Sequence, residues 1–105
     1  MFWIMIVNVK NDSYDVYIGR NPKYGDPKWG NPYSHKDGTA AKYKVTTREE
    51  AIEKYEEYLR GSGELMNSLM ELDGQILGCH CKPMACHGDV LLKVLNEIKM
   101  GMFFG

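Results

Sequence analysis

Gln75-Ile76-Leu77-Gly78-Cys79 and, beyond a short link, Cys86-His87-Gly88-Asp89-Val90-Leu91 are the stretches on which the fold turns. The first is apolar, too short for a helix, and preceded by the turn pair Asp73-Gly74, so it reads as a central strand. Over residues 86–99, Val90, Leu91, Val94, Leu95 and Ile98 recur at helical spacing and form one apolar stripe. A strand feeding directly into a helix, with helices before it, is the pattern of a layered α/β unit. In such units ligands gather beyond the carboxyl ends of the strands, which directs attention to residues 79–89.

The elements upstream fit the same plan. Thr46-Thr47-Arg48-Glu49-Glu50 opens a helix: either threonine can cap, with a Glu three residues later reaching back. Ala51, Ile52, Tyr55, Tyr58 and Leu59 form its inner face until Gly61-Ser62-Gly63 ends it. A second helix over 64–72 carries Leu65, Leu69 and Leu72 on one side. Residues 3–9 and 15–18 are β-rich. Between residues 19 and 44 lies an irregular stretch with three of the four prolines and the aromatics Tyr24, Trp29, Tyr33 and Tyr43. Disordered linkers are poor in such rings, so this loop is expected to line a site. The order β-β-loop-α-α-β-α describes an α/β fold with a short, partly parallel sheet packed by about three helices. At 105 residues, 44% apolar and 26% charged, the chain is one small folded domain over 1–105.

Composition narrows the partners. A net charge of -1 argues against duplex nucleic acid held by phosphate neutralisation. The charge is uneven: residues 1–44 hold seven Lys/Arg and four Asp, a net of +3, while 45–105 hold six Lys/Arg and ten acids, a net of −4. No apolar run is long enough to cross a bilayer, and Met1-Phe2-Trp3-Ile4-Met5-Ile6-Val7 lacks a basic leader or cleavage site, so the expectation is a cytoplasmic protein without membrane contact. The tail Met100-Gly101-Met102-Phe103-Phe104-Gly105 is apolar enough to suit a homo-oligomer contact.

All three cysteines and two of the three histidines fall within residues 78–89. Three readings compete there. Cys79, Cys81, Cys86 and His87 have the donor types of a zinc site, which would make the protein a zinc-stabilised interaction module. Cys86, with His87 or His80 as base and Asp89 in support, has the makings of a cysteine-dependent transferase or hydrolase, since a helix N-terminus favours thiolate. The reading that asks least of tertiary geometry is the third: the cysteines are small buried hydrophobes, and the helix start with Lys82 and His87 receives an anion, with no cofactor. The loop from Gly19 to Pro32 adds what such a site needs. Arg20 and Lys28 supply charge, Trp29 a flat face for a base or sugar, and Asn31 both donor and acceptor edges.

Val16-Tyr17-Ile18-Gly19-Arg20, Lys28-Trp29-Gly30-Asn31-Pro32, Glu49-Glu50-Ala51-Ile52-Glu53-Lys54-Tyr55 and Leu77-Gly78-Cys79-His80-Cys81-Lys82-Pro83, continuing through Cys86-His87-Gly88-Asp89-Val90-Leu91, together resemble a small bacterial and phage domain of unknown function, family 4326. The likeness runs over about residues 7–96. It implies a phage or bacterial setting but no activity. Joined to the residue reading, it gives the expectation of a domain that binds a small anionic, nucleotide-like ligand through Arg20, Lys28, Trp29, Asn31, Lys82 and His87. In a phage, such a binder would sequester a nucleotide-derived signal of host immunity.

Overall fold

The computed structural model describes residues 5–36, 41–80 and 84–101. Strand β5 (Ile76–Cys79) is the centre of a three-stranded sheet, flanked by β1 (Met5–Asn8) and β2 (Val16–Tyr17), both parallel to it. Leu77 pairs with Ile6 on one side and Val16 on the other. Because β1 and β2 lie on opposite sides of β5, the short link between them crosses the face of the central strand. Gly78 makes that crossing close. A Cβ there would stand 2.5 Å from the Tyr14 ring. Side chains alternate along a strand, so Leu77 and Cys79 point the other way, into the core, where both are buried.

That second face is covered by helices. Helix α1 (Arg48–Arg60) is capped by Thr47, whose Oγ1 accepts the Glu50 N–H at 3.1 Å, while the Glu50 carboxylate accepts the Thr46 N–H at 2.9 Å. The sequence leaves open which threonine caps; the cap is Thr47, and Thr46 gives only its backbone N–H to Glu50. Helix α2 (Gly63–Ser68) is shorter than the sequence predicts, and the chain tightens into a 3-10 turn at Leu69–Leu72 that still delivers Leu69 and Leu72 to the interior. Helix α3 (His87–Lys99) buries Val90, Leu91, Val94 and Leu95 against Tyr55 and Leu59 of α1 and against Leu77 of the sheet. The outer edges of α1 and α3 are joined by Arg60, which bonds Glu56 and Glu97, and by Lys93, which reaches Glu56. Lys93 and Arg60 hold the Glu56 carboxyl below its ordinary range, against the upward push of its partial burial.

The stretch 19–44 is less irregular than its composition suggests. It contains a 3-10 turn at Pro27–Trp29, capped by Asp26, and a small parallel pair, β3 (Tyr33–Ser34) with β4 (Tyr43–Lys44). Elements this short leave no periodicity in a sequence, which is why only the loop is legible there. Among the described residues, no helix is long and apolar enough to cross a membrane.

Candidate functional site: a cationic cleft at the carboxyl end of the sheet

The site is assembled by backbone carbonyls. After β2, the chain runs through Ile18 and Gly19 to Arg20, and it packs directly on Gly30. A Cβ at position 30 would lie 2.8 Å from the Gly19 carbonyl oxygen and 3.1 Å from the Arg20 Cα. Arg20 Nη1 donates to the Asn31 carbonyl at 2.8 Å, so the Gly-Arg and Trp-Gly-Asn-Pro segments are pinned together. Asn31, itself buried, donates through Nδ2 to the Ala51 carbonyl (3.0 Å) and accepts the Tyr33 N–H (2.9 Å), which ties the loop to α1. Tyr55 donates its hydroxyl to the Trp29 carbonyl at 2.8 Å from inside the core.

The start of α3 closes the arrangement. Cys86 is the cap residue, and its N–H donates to the Asp89 carboxylate at 3.1 Å, so Asp89 serves the helix end. His87, in the first helical position, is buried and turns Nε2 to the Ile18 carbonyl at 2.5 Å. Burial drives its pKa from 6.5 down to about 4, with the Arg20 guanidinium pushing the same way and the Ile18 and Trp29 carbonyls opposing. His87 is therefore a neutral brace between β2 and α3 at physiological pH.

Between these parts opens a cleft of about 770 Å³, the size of a small-molecule site. Arg20 and the Cys86–His87 turn both line it, as does Asn31. Two further cations stand on its wall, Lys36 and Arg48; Arg48 Nη1 also reaches the Ala85 carbonyl at 3.2 Å, linking the start of α1 to the approach to α3. Among the described residues, no Asp or Glu lines it. Tyr33 and His80 offer rings. His80 is held by Tyr17, whose hydroxyl accepts the Asn21 N–H at 3.0 Å and lies 2.7 Å from His80 Nε2, and by the edge of Tyr24. Burial raises the Tyr17 phenol above its ordinary pKa.

Two residues expected from the sequence are not brought here. Lys28 pairs with Glu71 at 3.4 Å on another face, beside a smaller cavity, and Trp29 is buried in the core, where its ring cannot stack on a ligand. Both follow from the 3-10 turn, which swings Trp29 inward to complete the cluster around Tyr55. Lys82 and Cys81 lie outside the described residues, as does the tail at 102–105. Lys36 and Arg48 join the site without a motif that marks them in the sequence, whereas Tyr33 belongs to the loop whose aromatics point to a site. Arg48 did leave a signal, since a cation in the first turn of a helix opposes the macrodipole and asks for another reason to be there.

The Cys86 and Cys79 thiols sit 3.6 Å apart, 2% and 1% exposed. Among the described residues, no group of three or more His, Cys, Asp or Glu is placed to hold a metal ion, and His87 spends Nε2 on a carbonyl. A thiol buried this deeply reacts only when the structure opens. Peptide mapping after iodoacetamide treatment of the native protein is expected to show Cys86 labelled at least ~100-fold more slowly than in denaturant, because labelling then waits on opening equilibria of several kcal/mol. Fast labelling of Cys86 at neutral pH would instead mark it as an activated nucleophile.

A protein of Enterobacteria phage T4, "Uncharacterized 12.4 kDa protein in nrdA-td intergenic region", is 36% identical over 97 residues, covering 89% of this chain and 78% of that protein. No solved structure gives a significant match. The pattern of the family described as "Domain of unknown function (DUF4326)" matches residues 7–97, from within β1 to within α3, and takes in every segment that builds the cleft. The chain belongs to that family.

Proposed function

We propose that this domain binds a small phosphorylated, nucleotide-like molecule in the cleft between the Gly19–Pro32 loop and the amino-terminal turns of α1 and α3. The observation that carries the reading is the charge of the lining: Arg20, Lys36 and Arg48 face one cavity that no described carboxylate enters. Three cations sharing a partly desolvated concavity repel one another, and an anion relieves that repulsion. Arginine forks match phosphate oxygens, and the Tyr33 and His80 rings suit the flat part of such a ligand. Binding is favoured over cysteine chemistry because the Cys86 thiol is buried against Cys79. The T4 relative supports a phage setting, in which withdrawing a nucleotide-derived immune signal is the use we propose.

A thermal-shift panel of nucleotides, nucleotide sugars and cyclic dinucleotides tests the reading. A ligand at a hundredfold excess over its Kd stabilises by ~2.7 kcal/mol, a rise of roughly 10 °C or more for a domain this size. Arg48→Gln is expected to weaken binding about tenfold while leaving the unliganded melting temperature within ~2 °C, as its one described bond is at the surface. A panel in which nothing shifts the protein refutes the proposal.

A further inference from the structure

The cleft does not end at its rim. Tyr33, on its wall, pairs in register with Tyr43, and their rings stack at 5.1 Å between centroids and 28° between planes. Tyr43 is 50% exposed, so the outer part of the stack is open to solvent. Lys42 sets its ammonium 6.0 Å from the Tyr43 ring centroid, and Lys36 stands where the two-stranded piece meets the cleft. Between residues 32 and 48 the chain carries Lys36, Lys42, Lys44 and Arg48 against one carboxylate, Asp37, a net of +3. In a protein of net charge -1, that is a local excess of positive charge.

Building on the cleft reading above, we infer that the natural ligand is the end of a single-stranded oligonucleotide: the terminal nucleotide occupies the cleft, and the following one or two lie along the Tyr33–Tyr43 ledge. An exposed aromatic step with lysines beside it is what unpaired bases and their phosphates require, since each base has a face to stack and each link a charge to neutralise. A free mononucleotide would not reach Tyr43, and it would leave the ledge without a purpose. A duplex keeps its base faces covered and cannot stack there.

Calorimetric titration with thymidine 5′-monophosphate, a 5′-phosphorylated five-nucleotide thymidylate, the same strand in a duplex, and a polyphosphate of matched charge separates the outcomes. The single strand is expected to bind at least tenfold more tightly than the mononucleotide and than either control. Tyr43→Ala and, independently, Lys42→Gln should erase most of that gain while leaving mononucleotide affinity within twofold, which also certifies that each variant is folded. Equal affinity for strand and mononucleotide, a gain that survives both substitutions, or equal binding of duplex or polyphosphate overturns the inference and leaves the cleft reading standing. Failure of strand and mononucleotide alike overturns both.

Discussion

Acidification from pH 6.5 to pH 4 is expected to remove about 3 kcal/mol of folding stability through His87 alone. The direction follows from proton counts. Above pH 6.5 the imidazole is neutral whether the chain is folded or not, and pH has no leverage. Between 6.5 and about 4 the unfolded chain takes up a proton that the folded chain refuses, so each step down in pH favours unfolding. Below about 4 both forms are protonated and the contribution levels off. The refusal is caused chiefly by burial: a charged ring between Ile18, the start of α3 and Tyr55 would have no water, and Arg20 adds repulsion. Urea unfolding at intervals from pH 7 to pH 4 measures the slope. His87→Gln keeps a donor for the Ile18 carbonyl and cannot titrate, so its stability should be nearly flat down to the carboxylate range, where Glu56 begins to lose its ion pairs. Parallel pH profiles for the two proteins would show that His87 is not the group responsible.

Gly30→Ala is expected to cost about 2–3 kcal/mol, as much as a badly overpacked core position. Gly30 has φ −64 and ψ 147, a conformation open to any residue, so the demand for glycine here is one of space. The added methyl would press on the Gly19 carbonyl oxygen at 2.8 Å and on Arg20 Cγ at 3.0 Å and Cα at 3.1 Å. Two of these three are backbone and cannot rotate away. The backbone is fixed on both sides, by His87 on the Ile18 carbonyl and by Arg20 on the Asn31 carbonyl, so the clash would be relieved only by opening the wall of the cleft. Gly63→Ala is the control. A Cβ there meets nothing within 4 Å, at the start of α2, and the change should be neutral or stabilising by a few tenths of a kcal/mol. Urea denaturation compares them, and a Gly30→Ala protein within ~0.5 kcal/mol of wild type would refute the packing argument.

The helices were legible because each carries its own signals. Thr47 with Glu50, the Leu65, Leu69 and Leu72 side, and the Val90–Leu95 stripe act over three or four residues, within reach of a periodic reading. Strand β5 was legible as an apolar run between a turn and a helix. The pair β3 and β4 was not, since two residues each give no pattern, and the place of Trp29 stays open in sequence because a ring that stacks on ligand and one that plugs a core look alike there. Lys28 lies away from the cleft, paired with Glu71, which is 43 positions away.

The α/β class, the number and order of helices, and the two segments, Gly19-Arg20 and Cys86-His87, that line the cleft are all written locally in the chain. These depend on local caps, turns and apolar spacing, which are encoded within a few residues. Which cations share the cavity and which histidine is a brace are set by the folded arrangement. Lys36 and Arg48 share a cavity with Arg20 because α1 docks on the loop, and His87 is neutral because Ile18, far away in the chain, closes over it. Charge and protonation depend on distance and desolvation in three dimensions, and neither is a property of the residue's place in the chain.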